Sequence, residues 1–361
     1  MKKNKSSLLF IILIIAILLT ACSGGRSSMV ASGWASVTAD GETAYLAFST
    51  QIIAINLSSG TEIWRFPAEA DAKISFYAAP VMTEDGQLIA GGYDNMLYSL
   101  NPKNGQVNWK FDKAEGRYID SPLVTADHIY APSADHNLYA LNMKGQPIWA
   151  QPFTTGEPLW SMPATDPECE CIYLASMDHK VYAIDSQTGI ERWHTEDLGG
   201  AMVGTPAVSD DQILYIGTFA KELIALNTQD GSELWRFSTE DWVWASPVIQ
   251  DDTLYFGDLS GTFYAVDRQN GQVQWQIQPG GSIVGRPLVN ADGIYFTTET
   301  GSLVSVAPDG AILMNQPYES SLHAGPVLAG NTILLTTSDP ANLLIALDPN
   351  GVQRWSFSLN K

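Results

Sequence analysis

Three cysteines, a few histidines and four tryptophans are the side chains whose types and spacing could do chemistry in this chain. Cys22 closes the run Leu19-Thr20-Ala21-Cys22, behind a positive stretch (Lys2, Lys3, Lys5) and an apolar run over residues 8–19. That order reads as a lipoprotein signal: diacylglyceryl transfer to the sulfur, then cleavage before it. A membrane span needs about 20 apolar residues, and this run is shorter. Two acyl chains on one cysteine anchor stably where one would not. An uncleaved anchor or an ordinary secretory signal is the alternative reading. Cys169 and Cys171 are the other thiols. Export permits a disulfide, but a Cys-Glu-Cys ring is small and strained, so a structural bridge is not expected. No further His or Cys completes a ligand set, and no metal is expected.

His136 and His179 follow aspartates in matching Asp-His turns, where turn chemistry accounts for the Asp. His128 begins a strand-like run and His194 follows a tryptophan, so both read as structural or surface residues. No Ser-His-Asp set, phosphate-binding glycine loop or calcium loop is present. The acidic residues, 39 against 19 Lys and Arg, are too scattered to nominate a catalytic pair. A formal net charge of −20, made more negative if the three leader lysines are removed, argues against nucleic acid or an anionic membrane surface as electrostatic partners. A soluble, highly solvated surface is the plain reading, and basic partners or cations the sharper one.

These groups need a scaffold, and the chain is a repeat. Gly60, Gly105, Gly145, Gly189, Gly231, Gly271, Gly310 and Gly351 recur at spacings of 39 to 45 residues. Trp64, Trp109, Trp149, Trp193, Trp235, Trp275 and Trp355 each follow four residues after their glycine, and Met314 stands in the seventh copy. Between them lie short runs such as HIYAPS, CIYLAS and ILYIGT, then LYSL, VYAID and FYAVD. Such β-branched and aromatic density suits buried strands, and Asn or Asp close to Gly suits the tight turns. A period of about 40 residues means one supersecondary unit per repeat. Four antiparallel strands repeated eight times predict an all-β, eight-bladed β-propeller over 33–361, with a signal peptide at 1–21 and a lipidated Cys with a short Gly/Ser-rich tether at 22–32. No helix of useful length is expected beyond the leader. How the ring closes is not readable.

Subtracting the repeat tryptophans leaves Trp34, Trp160, Trp242 and Trp244, all just before the first strand of a blade. That strand starts at a recurring proline, from Pro80 to Pro326. Three residues before each proline sit Tyr77, Ile119, Trp160, Val203, Trp244, Val284 and His323, with Asp120 and Arg286 beside them. Antiparallel order places these segments and the turns between second and third strands at one end of the blades, and the docking turns and Cys169–Cys171 at the other. The candidate binding mouth is therefore Trp34, Tyr77, Asp120, Trp160, Trp242, Trp244, Arg286 and His323. An aromatic rim suits an apolar peptide, or a flat small molecule or glycan. The alternative is that these side chains merely plug the opening.

The phrase Ala-x-Asn/Asp-x-x-x-Gly-x-x-x-Trp, complete from Ala54, Ala183, Ala225 and Ala265, resembles the docking motif of pyrroloquinoline-quinone-type (PQQ-like) propeller repeats. Copies from Ser99, Ala140, Ser305 and Ala346 depart slightly from it. The resemblance implies that the seven repeat tryptophans stack on the glycine of the next motif and join blades, with the Met314 seam the loosest. It also implies two uses. Quinoprotein dehydrogenases hold the quinone and Ca²⁺ near adjacent cysteines, whereas Cys169 and Cys171 are separated and lie at the opposite end. The order of lipobox, short tether and eight-bladed ring is similar to the BamB-type outer-membrane assembly lipoproteins. That resemblance implies a non-catalytic scaffold without cofactor, anchored by lipid on the outer side of the cytoplasmic membrane or at the outer membrane, with a protein partner in a cell-envelope complex.

Overall fold

The computed structural model describes residues 34–166, 168–290 and 293–359. The leader, Cys22 and the tether lie outside the described residues. Eight separate four-stranded antiparallel sheets follow one another along the chain, over 36–66, 81–111, 123–154, 164–194, 207–238, 248–277, 288–317 and 327–357. We number them blades 1 to 8. Within each, the strands pair in sequence order, and all described regular structure is strand.

Burial grades across each sheet as the repeat demands. Second and third strands are almost wholly buried, as in Cys171–Ala175 and Phe263–Asp267. Fourth strands such as Glu233–Ser238 lie at the perimeter and are largely exposed. Alternation sends successive side chains to opposite faces, so each blade feeds two cores. In blade 1, Leu46, Ile53 and Ile55 pack with Leu334, Leu344 and Phe357 of blade 8, while Tyr45, Ile52 and Ala54 pack with Leu88, Tyr98 and Leu100 of blade 2. The hydrophobic interior is thus eight seams rather than one centre.

The repeated glycine and tryptophan meet at these seams. Each glycine has positive φ, from 68° at Gly60 to 87° at Gly310, and a Cβ on Gly105 would sit 2.5 Å from the Trp64 ring. Each indole N–H donates to a carbonyl just before the partner glycine: Trp64 to Pro102 at 2.8 Å, Trp193 to Thr228 at 2.9 Å, Trp235 to Arg268 at 3.1 Å. The sequence did not reveal a second anchor on the same carbonyl. Tyr130 and Trp149 both donate to Ser186 O, Tyr173 and Trp193 to Thr228 O, and Tyr215 and Trp235 to Arg268 O. In blade 2 the amide of Gln87 takes the tyrosine's place beside Trp109. At the seam of blades 7 and 8, Met314 Sδ covers Gly351, and among the described residues Tyr295 Oη alone reaches Pro349 O, at 3.2 Å.

Closure follows the same rule and needs no strand exchanged between the ends. Trp355 covers Gly60 and donates to Leu57 O at 2.7 Å, and Thr336 Oγ1 donates to Ala35 O at 2.7 Å.

The turn at 168–170 departs from expectation. Cys169 and Cys171 are joined by a disulfide, with Cα atoms 5.2 Å apart. Glu170 between them adopts φ 53°, a left-handed turn that brings both sulfurs to one side.

Candidate docking surface at the mouth

The lead-in segments are held in place by the turns between second and third strands. In blades 3, 4 and 6 the turn aspartate uses one oxygen on a backbone N–H of the lead-in: Glu115 to Asp135 at 2.7 Å, Gly156 to Asp178 at 2.9 Å, Asp241 to Asp258 at 3.0 Å. The same carboxylate accepts a tyrosine hydroxyl from the third strand: Tyr139, Tyr182 and Tyr264 respectively. Burial, with the hydrogen bond to Asp258 adding to it, pushes the Tyr264 phenol up to about 12, and Tyr139 and Tyr182 rise by the same causes. The aspartates therefore do more than shape their turns.

The first turn residue is also tied to the lead-in. Tyr93 N donates to Ser75 O, Phe219 N to Ala201 O, Leu259 N to Trp242 O and Glu299 N to Ser282 O, at 2.8 to 3.0 Å. This backbone bond brings a second ring of side chains against the first. Tyr93 meets Tyr77 edge-on at 4.4 Å, with the Arg117 guanidinium 5.4 Å above the Tyr93 ring. Glu299 accepts from His323 at 3.0 Å. Sequence reasoning missed these turn residues. The signal was available, because Tyr93, Met177, Phe219 and Glu299 occupy one repeat position.

Five rings then form a continuous strip. His323 stacks on Trp34 with centroids 5.8 Å apart, and Trp34 meets Trp244 edge-on at 5.8 Å. Phe219 packs against Trp244 at 5.4 Å and stacks on Trp242 at 4.7 Å. Rings at contact distance bury one another, yet Trp34 and Trp242 remain 45% and 43% exposed. The strip therefore keeps an open aromatic face.

Trp160 stands apart from the strip. With Glu157, Pro158, Met177, Asp178, His179 and Asp197 it lines an open cavity of about 530 Å³. His179 Nδ1 lies 3.0 Å from Asp197. The Gly199 N–H first, and His179 after it, lower the Asp197 pKa. Three carboxylates beside one indole make a cation-attracting pocket, since an aromatic face and carboxylates both favour positive charge.

Asp120 is a staple rather than an open group. Its carboxylate accepts Met162 N at 2.9 Å and Ser121 N at 2.7 Å, joining the lead-ins of blades 3 and 4, and burial raises its pKa against those bonds. Arg286 is open to solvent but closely surrounded by protein, and desolvation lowers its pKa. Among the described residues, no group of three or more His, Cys, Asp and Glu is arranged to hold a metal ion.

A protein-family model described as "Outer membrane protein assembly factor BamB" matches residues 23–162 and 177–286. The chain belongs to this BamB family. Outer membrane protein assembly factor BamB of Shewanella oneidensis is 22% identical over 203 residues, covering 53% of this chain and 50% of that protein. Its counterpart from Moranella endobia is 24% identical, covering 54% and 51%. The chain thus matches about half the length of these curated relatives. The crystal structure of BamB from Moraxella catarrhalis aligns with TM-score 0.70 at 15% identity, over 86% of this chain and 92% of that one. The computationally designed Ika8 protein aligns with TM-score 0.73 at 13% identity, over 90% and 97%. These structural likenesses concern the fold, an eight-bladed propeller shared with BamB.

Proposed function

We propose that this BamB-family propeller is a lipid-anchored, non-catalytic scaffold of the cell envelope that supports outer-membrane β-barrel assembly and binds its protein partner at the mouth. The observation that supports the reading most is the pairing, at one end of the ring, of an exposed aromatic strip with an acidic, tryptophan-walled pocket. Large aromatic side chains dominate protein-binding hot spots, and the carboxylates would receive a basic side chain of the partner. Cys22 is the proposed lipid attachment point.

Affinity capture of the lipidated protein from envelope membranes tests this. Recovery of a barrel-assembly protein is expected, and its loss on combined Trp160→Ala and Trp244→Ala substitution, with thermal stability retained, is the supporting result. Capture unchanged by that pair removes the mouth from the argument. Binding of a polysaccharide in place of a protein would favour a glycan-binding propeller, and quinone-dependent dye reduction by the purified protein would overturn the scaffold reading. Cys22→Ser should release the protein from membranes.

A further inference from the structure

The Cys169–Cys171 bridge is chemically reactive, and neither the docking of blades nor the mouth accounts for it. It closes a loop with a single residue, Glu170, inside it. A cross-link stabilises chiefly by restricting the unfolded chain, and the restriction grows with loop length. A loop this short adds almost nothing to what the chain already restrains. The strands are also held without it, since Asp166 and Cys171 pair at the end of the antiparallel ladder that joins the first two strands of blade 4. Glu170 meanwhile adopts φ 53°, an unfavourable conformation for a residue with a side chain. The bridge is therefore not a stabilising staple. Among the described residues, no third His, Cys, Asp or Glu joins the pair in a metal-holding group.

The two sulfurs differ in surroundings. Cys171 is buried in the core between blades 4 and 5, with Tyr173, Leu214 and Leu226. Cys169 sits at the margin of that core, half-buried, between the exposed Glu168 and Glu170. Tyr173 Oη lies 3.3 Å from Cys169 Sγ, and a disulfide sulfur has no hydrogen, so the hydroxyl donates, sharing its proton with Thr228 O at 3.4 Å. Burial raises the Tyr173 pKa, and the hydroxyl keeps its proton. A hydrogen bond to sulfur favours the thiolate once the bridge opens. An accessible sulfur with such a donor, beside a buried partner sulfur, is the arrangement of an attacking and a resolving cysteine. We infer that Cys169–Cys171 is a thiol–disulfide exchange site whose co-reactant is the dithiol of a second protein. A thiolate of that dithiol attacks Cys169 Sγ, the Cys169–Cys171 bond breaks, and Cys171 leaves with the electron pair and takes a proton. The donor's second thiol then attacks its own sulfur in the mixed disulfide, and Cys169 leaves as a thiolate that Tyr173 holds until it takes the second proton. Two electrons and two protons have passed to the pair, and the donor is left as a disulfide; the reverse sequence oxidises the pair. A monothiol would stall at the mixed disulfide, because Cys171 recloses the bridge, whereas a dithiol completes the transfer within one complex. The site stands whether or not the mouth binds a partner.

Reduced thioredoxin as the dithiol tests this on the full chain, with acid quench, alkylation and peptide mapping by mass spectrometry. Cys169 and Cys171 should both become reduced in the folded protein, at a rate unchanged by urea below the unfolding transition. A rate that climbs with urea alongside unfolding would mark a bridge reached only by unfolding and would overturn the proposal, as would no reduction at all. Single-cysteine variants test the division of roles. With oxidised glutathione, Cys169 in the Cys171→Ser variant should form a mixed disulfide roughly tenfold faster than Cys171 in the Cys169→Ser variant. Adding Tyr173→Phe to Cys171→Ser should slow that reaction about threefold at neutral pH. Equal rates in the two single variants, or no effect of Tyr173→Phe, overturn the proposal as well.

Discussion

Replacing Trp355 with Ala probes the one seam that no covalent link reinforces. Elsewhere, adjacent blades are joined by chain as well as by packing, but among the described residues blades 8 and 1 meet through packed side chains, the Trp355–Leu57 bond and the Thr336–Ala35 bond. Truncating a core tryptophan costs about 3–5 kcal/mol. Trp355 is half-buried, so the lower end applies, and the lost bond to Leu57 O adds about 1 kcal/mol. The comparison is Trp275→Ala, also half-buried and bonded to Pro308 O at 2.7 Å, which should lose a similar amount of global stability. The difference should lie in local opening. Hydrogen exchange measured by mass spectrometry should accelerate in Thr43–Phe48 and Thr332–Thr336 for Trp355→Ala, because the terminal blades can splay without unfolding the ring. In Trp275→Ala those strands should keep their protection. Equal exchange in the two variants would refute the reasoning that closure rests on this docked indole.

Met314→Trp should raise stability by about 1 kcal/mol, since Pro349 O already accepts from Tyr295 and a second donor there would match the neighbouring seams; urea denaturation measures it, and a loss would mean the blade 7–8 gap is too narrow for an indole. Acid should weaken the seam of blades 5 and 6. Burial raises the Asp211 pKa, but bonds from Ser209, Gln269 and Arg268 outweigh it and hold the carboxyl at about 2. A depressed carboxyl contributes stability that is complete above its ordinary value near 3.8 and is lost as pH falls towards 2. Asp211→Asn should flatten that part of the stability profile in acid denaturation followed by tryptophan fluorescence.

The blades were legible because one spacing repeats, and because Gly and Trp sit at positions where no other pair combines positive φ with a flat ring. The second anchor was hidden. Tyr130, Tyr173 and Tyr215 look like ordinary strand residues, and their hydroxyls matter only once the neighbouring blade brings a carbonyl over them. Position in the repeat also placed Trp34, Trp244 and His323 at one end, but not in contact. Their stacking depends on side-chain reach across blades 1, 6 and 8, which spacing does not encode. Trp160 shares the repeat position of Trp244 yet lines an acidic pocket instead of joining the strip. The Cys169–Cys171 bridge was not legible because the left-handed backbone of Glu170, which the sequence does not announce, lies between the two joined cysteines.

Because no blade lends a strand to another, the molecule is modular in a literal sense. The Trp355–Gly60 contact is chemically the same as the internal Trp–Gly contacts, so the position of the chain break is arbitrary with respect to the fold. A circular permutant that joins residue 359 to residue 34 through a short linker and opens between two other blades would keep every seam. Copies of the unit could be gained or lost by duplication or deletion at the level of the gene, each change adding or removing one whole seam while the remaining seams adjust their angle to close the ring.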